Sequence, residues 1–318
     1  MKKVLITGAS GFTGGYLCEH FLLQEKYEIS GTYHREESLE HSPIKDKINV
    51  KNIDLLNGER VLNLIEEIKP DYVVHLAAAS SPQQSFKDPI DTFTTNVSAE
   101  INLLEAIRKA NLVKTRILIT SSCEVYGYVK TEDLPVSEST SLRPATPYAV
   151  SKLTQDYLAL QYYIAYNLQC IRVRPFNHIG PRQSSRFVVS DFSKQIAEIE
   201  KGKREPVVHA GNLDAKRDFT DVRDIVKAYE LLLQKGAAGE VYNIGSGVSY
   251  SARDILNILL ELTTSNITLK IDSKKMRPGD MPDIVCSNKK LMKLTGWKPE
   301  IPLKQTLRDT LDYWRGIV

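Results

Sequence analysis

Tyr148 and Lys152 stand four residues apart in Pro147-Tyr148-Ala149-Val150-Ser151-Lys152. That spacing puts both side chains on one face of a helix. A phenol moves protons poorly near neutrality, because its pKa lies at about 10. A neighbouring ammonium favours the phenolate and lowers that value, which makes the pair an acid–base device. Tyr-x-x-x-Lys alone is common on exposed helices. Its weight comes from Ser121-Ser122, which ends an apolar run upstream. A Ser122 hydroxyl can steady a substrate oxygen while Tyr148 moves the proton. The bland alternative for Ser122 is a cap or a loop hydroxyl. Glu124, two residues further, offers a carboxylate as a base.

These groups need a scaffold that brings them to one crevice. Val4 to Thr7 is a short apolar strand running into Gly8-Ala9-Ser10-Gly11-Phe12-Thr13-Gly14. A helical pattern from Gly14 to Gln24 follows, with Tyr16, Leu17, His20, Phe21 and Leu23 sharing part of one surface. A glycine triplet between strand and helix permits a tight turn, close approach of backbone to a pyrophosphate, and close helix–strand packing. The helix N-terminus adds N–H donors and a favourable dipole. The loop therefore predicts dinucleotide binding, through Gly8, Ser10, Gly11, Phe12, Thr13 and Gly14.

Further strands are expected at Tyr27–Tyr33, Ile48–Ile53, Tyr72–Ala77, Arg116–Thr120 and Gln169–Arg174. Helices are expected at Glu59–Lys69, Ile90–Ala110 and Pro147–Tyr166. Strands alternating with helices predict a doubly wound, mostly parallel α/β sheet of Rossmann type, with ligands at the carboxyl ends of its strands. The second strand ends Gly31-Thr32-Tyr33-His34-Arg35 with no acid before Glu36. His34 and Arg35 suit a 2′-phosphate better than a ribose diol, so NADP is expected, with NAD the alternative. Asp54 and Leu55, after the third strand, would meet the adenine. Leu76, Ala77, Ala78 and Ala79 end the fourth, where small side chains let a cofactor lie against backbone. Lys152 would reach the nicotinamide ribose.

After about residue 176 the rhythm changes. Helices near 187–200, 222–235, 251–262 and 302–315 alternate with short strands near 207–209, 241–244 and 267–271. This reads as a smaller α/β substrate lobe, so the domains are residues 1–176 and 177–318 with a soft boundary and interleaved lobes. The length agrees, since 318 residues at roughly 150 per domain suggest two. Hydrophobic residues make up 42% and charged ones 25%, which excludes a disordered chain. A net charge of +3 with no basic stripe argues against a nucleic-acid partner. Four widely spaced cysteines without a CxxC pair suggest no metal site and a reducing, cytoplasmic setting. No run approaches the ~20 apolar residues that would span a membrane.

The glycine loop at the N-terminus, Leu76-Ala77-Ala78-Ala79, Ser122 before Tyr126-Gly127, and Tyr148-x-x-x-Lys152 resemble the extended short-chain dehydrogenase/reductases. The resemblance covers nearly the whole chain. It implies an enzyme acting on nucleotide sugars, with the cofactor on the N-terminal domain and the sugar nucleotide against the C-terminal lobe. Arg174–Pro181 and Gly211–Asp224 are similar to the branch holding GDP-mannose 4,6-dehydratase and GDP-4-keto-6-deoxy-mannose reductase. By that resemblance Asn177 contacts the sugar nucleotide, Arg217 and Arg277 hold its diphosphate or ribose with Asp280 nearby, and Phe187 and Val188 line the nucleotide pocket. An arginine fork suits a diphosphate. His75 and His178 are expected to be structural.

Within the branch two reactions compete. A 4,6-dehydratase needs a base for the C5 proton and an acid for the C6 hydroxyl. Many carry Thr-Asp-Glu where this chain has Ser122-Cys123-Glu124. Glu124 would be the base, and Cys123 is a weak hydrogen-bond donor. GDP-mannose dehydratases place serine there, so cysteine does not exclude dehydration. A reductase needs only Ser122, Tyr148, Lys152 and NADPH. Reduction of an NDP-4-keto-6-deoxyhexose, GDP-linked, is the expectation, with the dehydratase and then a 4-epimerase as alternatives. A non-catalytic NADP sensor would be expected to lack part of the triad, which is intact here. The long helices 90–110 and 147–166 suggest a homodimer contact, against the alternative of intramolecular core.

Overall fold

The computed structural model describes residues 1–34, 44–276 and 281–318. Seven parallel strands form the central sheet: β1 Lys2–Thr7, β2 Tyr27–Tyr33, β3 Asn49–Asn52, β4 Tyr72–His75, β5 Arg116–Thr120, β6 Gln169–Pro175 and β10 Val241–Ile244. Their spatial order is β10-β6-β5-β4-β1-β2-β3. The order reverses between β1 and β4, which opens a crevice at the carboxyl ends of the strands.

Both faces of the sheet are covered, which is why its strands read as continuous apolar runs. Val4 and Ile6 point to one face, against α1 (Phe12–Leu22) and α8 (Val222–Lys235). Leu5, Val73, Ile117 and Ile119 point to the other, against α2 (Gly58–Ile68), α5 (Ala99–Lys109) and α6 (Pro147–Tyr166). Helix starts follow local chemistry: Asn57 caps α2, and Thr146 caps α6 with Pro147 at its first position. Leu17 and Phe21 of α1 are fully buried, whereas Leu23 lies past the helix and is exposed, so it shares no face with them.

Three features differ from the sequence reading. First, within the interleaving that the soft boundary allowed, the elements near 222–235 and 241–244 sit with the dinucleotide half rather than the lobe: β10 joins the main sheet beside β6, and α8 packs on α1. Second, the helix expected over 90–110 is broken. Short helices α3 (Pro82–Lys87) and α4 (Pro89–Phe93) lead into a π-helical turn, Thr94–Ser98, before α5. The widened turn points Asn96 inward, where its amide holds the Ala79 backbone and the Ser151 hydroxyl. Third, the lobe contains strands with no apolar signature. β7 (Asn177–Ile179) pairs with β9 (Lys216–Asp221), and β11 (Ser249–Ser251) pairs antiparallel with β9. Buried Asp218, Thr220 and Asp221 interrupt the hydrophobic pattern there. The pair β8 (Val207–Ala210) and β12 (Thr268–Ile271), with α7 (Val188–Glu200), α9 (Ala252–Leu260) and α11 (Leu303–Ile317), surrounds a separate core. α10 (Lys289–Thr295) returns to the sheet and packs near β10 and α8. Among the described residues no helix is long and apolar enough to cross a membrane.

Candidate active site

One cleft of about 1470 Å3 runs from the carboxyl ends of β1, β2 and β4 to the small lobe. Gly8, Ser10, Gly11, Phe12, Thr13 and Gly14 form its floor at one end, with His34, Asp54, Leu55 and Leu76–Ala79 beside them. Ser122, Glu124, Tyr148 and Lys152 line its middle, and Asn177, Phe187, Val188 and Arg217 its far wall. Every candidate residue within the described part of the chain thus meets in one place. Arg35, Arg277 and Asp280 lie outside the described residues.

The glycine loop owes its shape to close approach. A Cβ on Gly14 would sit 2.2 Å from the Gly8 carbonyl oxygen, so α1 can start against β1 only with glycine there. Gly8 has φ +71°, and a Cβ on it would lie 2.9 Å from the Ala77 nitrogen. α1 begins at Phe12, two residues earlier than its apolar pattern, with Gly11 at its cap. No side chain caps it, so its first N–H groups face the cleft for an anion. β2 ends in Thr32, Tyr33 and exposed His34 rather than an acid. This loop, uncapped terminus and alanine-lined strand end fit a dinucleotide.

At the centre, Ser122, two residues past β5, caps a short 3-10 turn, Cys123–Tyr126, by accepting from the Glu124 N–H at 3.2 Å. The cap role is thus present, and a hydroxyl that accepts there keeps a hydrogen to donate. Tyr148 sits in the first turn of α6, its N–H donated to Ser85 Oγ at 3.1 Å. Burial pushes its phenol above the ordinary tyrosine value; the Ser122 hydroxyl opposes this, while Glu124 and Cys123 add to it. The Lys152 ammonium is turned to the Thr120 carbonyl and Gln155 Oε1, each at 2.8 Å, and burial brings its own value down to about 8. Cys123 is buried and its thiol pushed up, so it stays protonated.

The far wall carries buried polar atoms. Among the described residues, Asn177 Oδ1 and Gln183 Oε1 are buried without hydrogen-bond partners and line the cleft. α7, like α1, has an uncapped N-terminus, behind Phe187. Arg217 Nη1 donates to the Lys216 and Met281 carbonyls, both at 2.7 Å, which fixes its guanidinium at the wall. Its motif neighbours do other work. Asp218 accepts from the backbone of Ser246, Gly247 and Cys286, Asp221 caps α8, and Asp224 holds the backbone of Glu300 and Ile301. Arg174 pairs with buried Asp156 and lies over the Tyr126 ring.

His75 is buried against Thr7, and burial brings it down to about 3. His178 bonds Thr13 Oγ1 at 2.9 Å, bridging the glycine loop to β7 and lining the cleft. Sequence reasoning missed Asn96, Gln183, Arg186 and Lys275. Lys275 pairs with Asp191 at 2.6 Å at the outer end of the cleft. The only advance signal was polarity inside apolar runs, which Asn96 shows and the others do not.

A family model described as GDP-mannose 4,6 dehydratase matches residues 5–310. The chain is 34% identical over 317 residues to GDP-6-deoxy-D-mannose reductase of Pseudomonas aeruginosa, covering 100% of this chain and 98% of that one. It is 30% identical to GDP-mannose 4,6-dehydratase of Vibrio cholerae, covering 97% and 92%. Among solved structures, RMD from Pseudomonas aeruginosa complexed with NADPH superposes with a TM-score of 0.88 at 34% identity, covering 100% of both chains.

Proposed function

Because the chain belongs to the GDP-mannose 4,6-dehydratase family, we propose that it reduces the C4 ketone of a GDP-linked 4-keto-6-deoxyhexose with NADPH. The observation that carries this reading is the convergence of Ser122, Tyr148 and Lys152 on one cleft, with a buried thiol next to them. Reduction requires one proton donor; dehydration also requires an acid for the leaving hydroxyl. A protonated, buried Cys123 is a poor hydrogen-bond donor for that second task.

When bound, NADPH supplies the hydride. Gly8–Gly14 and the α1 terminus hold its pyrophosphate, Ala77–Ala79 give it a flat wall, and His34, with Arg35, receives the 2′-phosphate. Ser122 donates to the ketone oxygen and Tyr148 gives the proton that makes it an alcohol. Lys152 keeps positive charge behind Tyr148 and returns the proton. Arg217, the α7 terminus, Asn177, Phe187 and Val188 hold the nucleotide sugar, assisted by Arg277 and Asp280.

NADPH consumption measured against GDP-, UDP- and dTDP-linked 4-keto-6-deoxy sugars tests the proposal. Stoichiometric loss of the reduced-nicotinamide absorbance with the GDP-linked ketone is expected. Glu124 in the cleft and the similarity to the Vibrio cholerae dehydratase favour a 4,6-dehydratase as second reading. Conversion of intact GDP-hexose without added NADPH, and no ketone reduction, would establish that alternative.

The proposal extends to a cytoplasmic homodimer. Val150, Tyr157 and Ile164 repeat every seven residues on α6 and are exposed, as are Ile90 and Phe93 of α4. Such a stripe suits packing against a second copy. The four cysteines are free and buried, in keeping with a reducing compartment. Light scattering of Tyr157→Glu should show a monomer; an unchanged dimer would move the contact elsewhere.

A further inference from the structure

The lobe end of the cleft holds an ion pair with a fixed order of donors and acceptors. Asp191 lies in the first turn of α7, three residues past Val188 and so roughly 4.5 Å further along the helix axis. Its Oδ2 accepts from Lys275 Nζ at 2.6 Å, and Nζ also donates to the His209 carbonyl at 3.0 Å. Gln195, one turn on in α7, holds the His209 backbone: its Oε1 accepts from the N–H at 2.8 Å and its Nε2 donates to the carbonyl at 3.0 Å. Lys275 ends the 3-10 turn Ser273–Lys275, and its carbonyl oxygen would lie 2.6 Å from a Cβ on Gly211, so this turn packs directly on the end of β8. Three elements thus fix the pair. Both side chains line the cleft and stay partly exposed, Lys275 at 35% and Asp191 at 27%. Among the described residues Asp191 Oδ1 has no hydrogen-bond partner, and one Lys275 hydrogen is uncommitted. As a stabiliser alone, an ion pair this exposed contributes little.

We propose that the Asp191–Lys275 pair reads the nucleobase of the substrate, and that the base it accepts is guanine. The inference deepens the GDP-linked reading above and rests on it. The reacting ketone must sit at Ser122 and Tyr148, and the uncapped α7 terminus suits the diphosphate. The base then falls further along α7, beside Asp191. Across the pair the order is donor, acceptor, acceptor: Lys275 Nζ, Asp191 Oδ2, Asp191 Oδ1. One edge of guanine carries the complement. Its O6 accepts from Lys275, its N1–H donates to Oδ2, and its 2-amino group donates to Oδ1. Uracil and thymine present acceptor, donor, acceptor, so a carbonyl oxygen would face Oδ1 across the site. Such a like-polarity clash rejects the wrong partner more strongly than a missing contact does. Adenine turns an amino group toward the Lys275 ammonium. Lys275 also balances the Asp191 charge, which would otherwise repel a diphosphate less than one helical turn away. Val188, Phe192 and Ala252 line the cleft and join the lobe core, which gives the base apolar surface.

The test is calorimetric titration of the full chain, saturated with NADPH, by GDP, IDP and UDP. Saturation keeps these nucleotides out of the glycine loop. IDP differs from GDP only in lacking the 2-amino group, so it isolates the contact to Oδ1. In the wild type IDP should bind about 10-fold or more weakly than GDP, the loss of one charge-assisted hydrogen bond, and UDP more weakly still. Asp191→Asn replaces an acceptor with a donor. It should weaken GDP about 10- to 100-fold, bring GDP and IDP within about twofold of each other, and leave NADPH affinity unchanged. Equal affinity of the wild type for GDP and IDP overturns the proposal, and that comparison needs no variant to fold. Loss of GDP and IDP by the same factor in Asp191→Asn also overturns it, because a merely structural pair would behave that way. UDP binding more tightly than GDP rejects the GDP-linked reading itself. GDP preferred over UDP, with the preference over IDP unchanged in Asp191→Asn, rejects only the assignment to this pair.

Discussion

The proposed cofactor wall and the proposed substrate wall of the cleft are built on different principles. The cofactor wall is backbone: a glycine turn, an uncapped helix terminus and three alanines, all at the carboxyl edge of a sheet buried on both faces. The substrate wall is side chain: Arg217, Asn177, Gln183 and Lys275, carried on short strands and turns held by buried aspartates. A backbone wall recognises a constant shape and admits almost no substitution. A side-chain wall can be retuned residue by residue, which suits the half that must distinguish one sugar nucleotide from another.

The largest expected effect lies where the walls meet. Tyr148→Phe should lower kcat by roughly 10²- to 10⁴-fold while leaving NADPH affinity intact, measured by fluorescence titration. Next comes a change that breaks the substrate wall alone. Arg217→Ala removes charge-assisted bonds worth about 1.5–3 kcal/mol, so the KM for the nucleotide sugar should rise about 10- to 100-fold at unchanged NADPH Kd. An equal loss of NADPH affinity would mean the walls are not separable. Gly8→Ala is the reciprocal test. A left-handed φ costs a side chain roughly 1–2 kcal/mol, so NADPH Kd should rise about 5- to 30-fold with little change in sugar binding. A smaller effect concerns pH: with Lys152 near 8 in the free enzyme, kcat/KM for reduction should decline as pH rises through that value.

The smallest effect probes the packing of α8 on α1 and β2 within the dinucleotide half. Burial would raise Glu230 on α8, but bonds from His20, Lys26 and Tyr27 outweigh it and hold the carboxyl at about 2. A depressed carboxyl stabilises fully above its unfolded value of about 4.3 and loses that contribution as pH falls through its folded one. Thermal melts should therefore show the wild type losing stability between about pH 4 and 2. Glu230→Gln should be flatter across the same window.

The cofactor wall was largely legible in the sequence, because its chemistry is local. Gly8–Gly14 are consecutive, and the strand ends at His34, Asp54 and Ala77 follow apolar runs whose period is visible. The substrate wall was only partly legible. Asn177 and Arg217 came from motif likeness, while Gln183 and Lys275 carry no local sign of facing a ligand. Of the acids in Gly211–Asp224, nothing in their order separates the clamps Asp218, Asp221 and Asp224 from a binding role.

By itself the sequence determined the parallel α/β class, the dinucleotide loop and the Tyr148–Lys152 pair, because strand period, glycine φ and helical spacing are properties of adjacent residues. Tertiary structure alone decided that β10 and α8 complete the first half, that a π-helical turn aims Asn96 at Ala79, and that the Lys152 ammonium turns to the Thr120 carbonyl and Gln155. Those outcomes depend on which distant segments exclude water from one another, and residue order along the chain does not encode that directly.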